Sequence, residues 1–462
     1  MKTFLVISKK TKAKAYCHLN CETIQKLWHS FTFTEGELEI EGTDDLIFVI
    51  GDIDTPTLPQ GKEYALCANR NGAAVKGESY GALCRGIFDL LMQIEVNDAE
   101  NGALTIREFS RTDAFTMKNR MIHFCIFPET DRKRFIKLIR LAGTLGFTHA
   151  VIEFWGTYQY ECFPEFGWDG AYTKEEAREL IREIRAFGME PIPMINHLGH
   201  AASCRITGGK HVVLDRFPKL YRLFTPDGWC WNIFNPEALE ILRNMRAELY
   251  ELFGEGEYFH VGVDEAYVFS ETPELRATLA DYLAKLTHEI HNEGRRAMIW
   301  MDMFLPTEAG TPHLCSCEPQ EMLDFLDGIS PDSVLVDWQY DTKERPLSTS
   351  KYLEEHTSID IVTAPWHDHE NIAACADTVT DLGLFGMMMT TWHSMFKNTT
   401  SILYAARYLG CATAPWSNMK SGELIRSETA TLLRKLSLEG ANSYEEAGWV
   451  KSEILDTIGL YF

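Results

Sequence analysis

Two adjacent carboxylates, Asp264 and Glu265, stand in the run Tyr258-Phe259-His260-Val261-Gly262-Val263-Asp264-Glu265-Ala266-Tyr267. Neighbouring side chains on a regular strand point to opposite faces, so the two acids can share a pocket only where the strand breaks into a loop. There, mutual repulsion raises one pKa and keeps that carboxyl protonated near neutrality, as a general acid requires. The competing account is a plain helix start, where acids suit the positive end of the dipole. His260, four residues before Asp264, reads either as a satisfied core histidine or as a group that orients a neighbouring carboxylate.

Upstream, Pro191-Ile192-Pro193-Met194-Ile195-Asn196-His197-Leu198-Gly199-His200 brings two histidines into a glycine-containing turn. It can be read as a His-x-x-His metal pair, a polar wall for a substrate, or an ordinary loop. Earlier apolar runs carry Lys118-Asn119-Arg120 and Glu153 with Trp155. An arginine there suits a bidentate grip on vicinal hydroxyls or a carboxylate, and equally a surface salt bridge. Downstream, tryptophans recur at matching positions: Trp300 with Asp302, Trp338 with Tyr340, Trp366 with His367 and Asp368, and Trp392 with His393. Four in succession suggest an aromatic-walled pocket, because flat apolar rings stack on the C–H faces of sugars while nearby acids and amides bind hydroxyls.

These groups need elements to position them. From about residue 113, short apolar runs at Arg120 to Phe124, His149 to Trp155, Glu190 to Asn196, Tyr258 to Val263, Ala297 to Met301, Val334 to Trp338, Ile359 to Ala364 and Leu384 to Thr391 alternate with amphipathic stretches. The latter include Arg132 to Gly146, Lys174 to Gly188, Pro236 to Gly254 and Pro273 to Gly294. Eight such alternations predict an α/β fold, a (β/α)8 TIM barrel over residues 113–462, whose active site lies where strands end in βα loops. No glycine-rich βα turn supports a doubly wound sheet instead. Residues 1–112 read as a small α+β accessory domain. Its strand-like runs are Thr3 to Ser8, Glu37 to Glu41, Leu46 to Ile50 and Tyr64 to Ala68, and Leu83, Ile87, Leu90, Leu91 and Ile94 make one helical stripe.

Composition narrows the partners. With 45% hydrophobic, 12% aromatic and 24% charged residues among 462, the chain can bury a core, so wholesale disorder is excluded. Lys plus Arg total 44 and Asp plus Glu 67, a formal charge of −23 that repels phosphate backbones and anionic membranes. No run approaches a spanning helix, and Phe4-Leu5-Val6-Ile7 before Lys9-Lys10 is short for a secretory core, so a cytoplasmic location is expected. The 12 cysteines lack the spacing of a disulfide scaffold. The close pairs Cys17–Cys21 and Cys315–Cys317 have no partner pair at zinc-ribbon spacing, and no cofactor is called for.

Taken in order, these residues resemble glycoside hydrolase family 20, the β-N-acetylhexosaminidases. HVGVDE fits the family's His-x-Gly-x-Asp-Glu signature, with Val263 where many members have a second glycine. INHLGH is similar to the family's Pro-Gly-His turn, with Leu198 in place of proline. GESYGALCRGIFDLLMQI resembles the helix that ends the family's N-terminal domain. MKNRMIHF, YTKEEARELI, IWMDMF and MMTTWHSM also fall in family order, and DEAY and IWMDMF look closer to the hexosaminidase D-type branch. The resemblance covers nearly the whole chain.

It implies retaining, substrate-assisted hydrolysis in which the substrate's own 2-acetamido oxygen attacks the anomeric carbon. By position, Glu265 would protonate the leaving oxygen and then activate water, while Asp264 would orient the acetamido N–H. Arg120 would hold sugar hydroxyls at the closed end, and His200 and His260 would belong to the polar surroundings. Trp300, Trp338, Trp366 and Trp392 would wall the N-acetyl group and ring, with Asp302 alongside. Tyr340 is the candidate for the acetamido carbonyl, Glu153 stands where many members carry an aspartate, and Glu153, His260 and Asp302 complete the expected substrate-binding set. The implied partner is a carbohydrate with a terminal N-acetylhexosamine. The alternatives are a metal-dependent barrel hydrolase using His197, His200, His260 and Asp264, and a non-catalytic sugar-binding protein.

Overall fold

A computed structural model describes residues 4–7, 11–17, 22–32, 38–97, 103–128, 130–201, 213–310, 317–392 and 399–411. Cys21, Cys315 and His393, singled out above, lie outside the described residues.

Up to residue 112 the strands are β1 (Phe4–Ile7), β2 (Ala13–Tyr16), β3 (Leu38–Glu41), β4 (Ile47–Gly51), β5 (Tyr64–Asn69), β6 (Gly72–Gly77), β7 (Glu95–Asn97), β8 (Ala103–Arg107) and β9 (Phe109–Thr112), with helices α1 (Glu22–Thr32) and α2 (Tyr80–Met92). They make a three-stranded sheet in the order β1-β8-β7 and a six-stranded sheet in the order β3-β2-β4-β6-β5-β9. Ser79 caps α2 by accepting the Ala82 N–H, and the buried stripe Leu83, Ile87, Leu90 and Leu91 lies on that helix. The strands β2, β6, β7, β8 and β9 and the helix α1 go beyond the sequence reading. β6, Gly-Ala-Ala-Val-Lys-Gly, shows why: it carries little β-branched bulk and is flanked by glycines.

The remainder closes a barrel of eight parallel strands: β10 (Asn119–Cys125), β11 (His149–Glu153), β12 (Glu190–Met194), β13 (Tyr258–His260), β14 (Arg296–Trp300), β15 (Val334–Trp338), β16 (Asp360–Ala364) and β17 (Gly386–Thr391). β17 pairs back onto β10, Arg120 opposite Met387. All eight predicted strands are present. The helices are α3 (Arg132–Thr144), α4 (Lys174–Ala186), the short α5 (Val213–Arg216), α6 (Pro236–Phe253), α7 (Pro273–Asn292), α8 (Pro319–Gly328), α9 (Ser348–His356), α10 (His369–Leu382) and α11 (Thr399–Tyr408). Their starts are written locally. Thr173 and Glu176 form a reciprocal capping box on α4, and Asn235 and Thr272 cap α6 and α7 just ahead of Pro236 and Pro273. No helix among the described residues is long and apolar enough to cross a membrane.

Alternation along the strands sorts the barrel interior from its outer shell. Met121, Val151, Ile192, Met194, Met298, Val336 and Met388 pack inside, whereas Ile122, Phe124 and Ile152 join the core beneath the helices. This parity corrects one expectation. Arg120 shares the outward face with Ile122 and Phe124 and lies at the N-terminal mouth of the barrel, the end opposite the βα loops. It is fully buried there, donating to the carbonyls of Gly146 and Met117, each at 2.7 Å. Its guanidinium pairs with Glu63 at 2.7 Å and lies 3.8 Å from the Phe115 ring centroid. Arg85 of α2 grips the same Glu63 at 2.7 Å. Arg120 therefore fastens the N-terminal layer to the barrel and touches no pocket at the other end.

Arg120→Ala should strand Glu63 with one fewer partner and cost about 3 kcal/mol of stability, read by urea denaturation. Unaltered stability with weakened ligand binding would return Arg120 to the hydroxyl-gripping role.

Candidate active site

The site begins where β13 stops after three residues. Gly262, Val263 and Glu265 all take positive φ, at 69°, 86° and 51°. For Val263, a buried β-branched residue, this is a sparsely populated and strained conformation. The strain breaks the alternation, so Asp264 and Glu265 reach the same neighbour. His200 Nε2 lies 3.3 Å from Asp264 Oδ2 and 3.1 Å from Glu265 Oε2. His200 itself has φ 59° and Trp155, whose ring stacks on it at 5.7 Å, has φ 50°. Among the described non-glycine residues only Leu46 shares this conformation elsewhere. Glycine is required at 262, because a Cβ there would sit 1.6 Å from Asn196 Oδ1.

Three side chains hold the acid loop. Asp302 Oδ2 accepts the Glu265 backbone N–H at 2.9 Å, and its Oδ1 accepts the Trp338 indole N–H at 3.1 Å. Trp229 donates its indole N–H to the Glu265 carbonyl at 2.7 Å, and the Tyr267 hydroxyl hydrogen-bonds the Glu265 carboxyl. Burial, with the Asp264 charge beside it, pushes the Asp302 carboxyl up to about 8. Next to Asp264 stands an aromatic wall from the later strands. Trp392 donates to the Tyr340 hydroxyl at 2.8 Å, and the Tyr340 ring lies 5.0 Å from Trp338 and 5.5 Å from Trp366. Burial above all, with the nearby Asp264 charge adding to it, keeps Tyr340 a neutral phenol. Asp264 Oδ1 and Trp366 Nε1 are buried without a hydrogen-bond partner in the protein. An acceptor and a donor are thus left for a polar ligand.

Directly beneath lies a sealed layer. His123 Nε2 meets Glu153 Oε2 at 3.0 Å, and Asn196 donates to Glu153 Oε1 at 2.8 Å. His260 accepts the Gly262 N–H on Nδ1 at 3.0 Å, and its ring lies 4.6 Å from that of Trp300. Burial drives the His260 pKa well below its usual value, so it is a neutral imidazole. Glu153, His260 and Trp300 have no exposed surface. They support the site from below, a correction to the expectation that each contacts substrate. His197 departs altogether: it bonds the Ile195 carbonyl at 2.9 Å and packs on Phe259, and burial pushes its pKa down to about 3. The proposed quartet of His197, His200, His260 and Asp264 does not converge. Among the described residues no group of three or more His, Cys, Asp or Glu is placed to hold a metal ion.

Residues 154–322 match the family model of the glycosyl hydrolase family 20 catalytic domain. Over that stretch the chain is similar to the catalytic domain of family 20 glycoside hydrolases. Solved structures of similar fold include the β-N-acetylhexosaminidase of Bacteroides fragilis, 16% identical, with a TM-score of 0.62 over 97% of this chain and 96% of that one. The chitobiase of Flavobacterium johnsoniae is 14% identical, with a TM-score of 0.65 over 99% of this chain and 72% of that one. A mutant β-hexosaminidase of Streptomyces plicatus in complex with its product GlcNAc is 13% identical, with a TM-score of 0.64 over 97% and 93%. No curated protein matches the chain in sequence.

The structure brings Asp264, Glu265, His200, Asp302, Trp338, Tyr340, Trp366 and Trp392 together at one mouth of the barrel. The sequence reading passed over His123, Asn196, Trp229 and Tyr267. His123 was detectable, since it lies two residues from inward Met121 and holds the inward parity that Arg120 lacks. Trp229 lies between α5 and α6, where no periodicity reports direction.

Gly262→Ala should misplace the acid pair and lower kcat/KM on a chromogenic glycoside by about a hundredfold or more; near-normal turnover would show that Asn196 yields without consequence. Asp302 titrates higher in the folded state than in the unfolded chain. Its contribution therefore favours folding at low pH and is lost as pH rises through about 8. Melting temperatures of Asp302→Asn and the parent should shift in the variant's favour between about pH 6 and 8; a pH-independent difference would contradict the raised pKa.

Proposed function

We propose that the chain is an exo-acting β-N-acetylhexosaminidase, releasing terminal GlcNAc or GalNAc from glycans or glycosides by a retaining, substrate-assisted reaction. The observation that carries this reading is the single His200 nitrogen within 3.3 Å of both Asp264 and Glu265 at a strained strand end. Adjacent acids on one side of a pocket suit two different tasks on one substrate. The Glu265 side chain is 25% exposed and that of Asp264 8%. The more open Glu265 gives its proton to the leaving oxygen and later takes one from water. Asp264 has Oδ2 engaged by His200 and Oδ1 free, so it accepts the acetamido N–H and steadies the positive charge of the oxazolinium. The acetamido oxygen is the nucleophile, and no second protein carboxylate is needed to attack.

Tyr340, held neutral beside Asp264, is the donor to the acetamido carbonyl, and Trp338, Trp366 and Trp392 enclose the group with apolar rings. GlcNAc as the product held by the fold-related Streptomyces enzyme supports this choice of sugar. We also take residues 1–112, which form two sheets of their own, as an accessory unit to a catalytic unit spanning 113–462.

Aryl glycosides decide the matter. Turnover should depend strictly on the 2-acetamido group, Glu265→Gln should lose about 10²- to 10⁴-fold in kcat/KM, and Asp264→Asn should lose activity on the acetamido substrate. Comparable hydrolysis of a 2-hydroxyl glycoside would overturn the mechanism, and no turnover of any aryl N-acetylhexosaminide would favour a sugar-binding protein.

A further inference from the structure

Tyr340 is not on a strand. It and Asp341 are the central residues of a turn that follows β15, so the strand that ends at Trp338 does not by itself fix the direction of the phenol. The helix after the next strand does so. Asn371, in the first turn of α10 and without exposed surface, donates from its amide nitrogen to the carbonyl of Gln339 at 2.6 Å and to that of Thr342 at 2.9 Å, the two residues that bracket the turn. Gln339 is held a second time, through its side chain, which donates to the buried Asp337 at 3.2 Å. Asp337 in turn accepts the hydroxyls of Thr349 and Ser350, each at 2.6 Å. At the surface, Lys343, just past the turn, reaches Asp368 at 3.1 Å and Glu370 at 2.7 Å. Both neighbours of the Asn371 amide are carbonyls, so its nitrogen must face them. Its oxygen is then buried with no partner in the protein, a cost that a smaller or apolar residue would avoid. The position thus keeps two donors while stranding an acceptor, a local misfit of the kind that collects at functional sites.

We infer that Asn371 is a positioning residue for the reaction: by holding the turn at both ends it sets the Tyr340 hydroxyl beside Asp264, where the acetamido group binds. The inference rests on the proposed reaction and on Tyr340 as the donor within it. Trp366 belongs to the connection that leads into α10, five residues before Asn371, and its ring lies 5.5 Å from that of Tyr340. One helix start therefore registers two rings of the wall that follow different strands. The Trp392 N–H, which reaches the Tyr340 hydroxyl at 2.8 Å, orients the phenol only once the turn has brought it there.

The test is a double-mutant cycle on an aryl β-GlcNAc. It combines Tyr340→Phe, which removes the hydroxyl, with Asn371→Ser, whose side chain is too short to reach both carbonyls. Asn371→Ser should lower kcat/KM about tenfold or more in the parent and less than about twofold in the Tyr340→Phe background. The drop in melting temperature should be the same in both backgrounds. A merely structural asparagine would lower kcat/KM by equal factors in the two; that result, or parental activity in Asn371→Ser, would overturn the inference while leaving the reaction intact. Should Asn371→Ser not fold, Lys343→Met loosens the same turn from the surface. Its loss, on the order of threefold, should likewise vanish without the Tyr340 hydroxyl; no loss, or one that persists, would overturn the inference equally. No turnover of the acetamido substrate by the parent would sink the reaction and, with it, the role of Asn371.

Discussion

The break in strand geometry at Gly262, the last residue still hydrogen-bonded through its backbone to the fifth barrel strand, is the constraint on which the site depends. Had β13 continued through Glu265, Asp264 and Glu265 would have faced opposite sides of the sheet, one into the barrel and one into its helical shell. Positive φ at three of four consecutive positions prevents that. Such conformations cost on the order of 1–3 kcal/mol each for non-glycine residues and persist only where surroundings over-determine them. Here the surroundings are specific: Asn196 closes against Gly262, Asp302 takes the Glu265 N–H, and Trp229 takes its carbonyl. The three come from the ends of the third and fifth strands and from the loop before α6. Much of the mouth is therefore committed to keeping two carboxylates on one side.

The same rule of alternation explains how far the sequence could be read. Eight apolar runs and capped amphipathic helices announce the barrel because each is a local signal, and the acid pair stands out because two carboxylates at a strand end are chemically conspicuous. Direction is less conspicuous. Arg120 and His123 lie three residues apart on β10 and so face opposite ways. The arginine drew attention by its chemistry, while the histidine held the inward place. Depth is not local at all. Trp300 and Trp338 each end one of two neighbouring strands, yet Trp300 is sealed and Trp338 reaches Asp302, a difference set by the barrel's closure. Residues on loops, such as Trp229, carry no periodicity from which a facing could be inferred.

The sealed polar layer gives the acid loop a rigid seat. Buried hydrogen-bonded networks specify one arrangement when satisfied, and Glu153 is held on both oxygens, by His123 and by Asn196. Asn196 also abuts Gly262, so the network ends against the backbone that carries the acids. His260 reaches the same glycine through its N–H. Two independent contacts thus converge on Gly262, one steric and one hydrogen-bonded, which is why a short strand can end abruptly without fraying. The formal charge of −23 has no part in this; a neutral glycan needs no long-range steering.

The aromatic rings near the two acids are held in two different ways. On the side of Asp264 the rings are linked to one another, Trp392 hydrogen-bonded to Tyr340 and Tyr340 in tilted contact with Trp338 and Trp366, and they stand at the ends of the last three strands of the barrel. Such a wall is rigid and suits one group of fixed shape. On the side of Glu265 the rings sit on loops, are more exposed, and are tied to the acid itself. The two groups of rings therefore differ in what fixes them, the ends of strands in one case and hydrogen bonds to a single acid residue in the other.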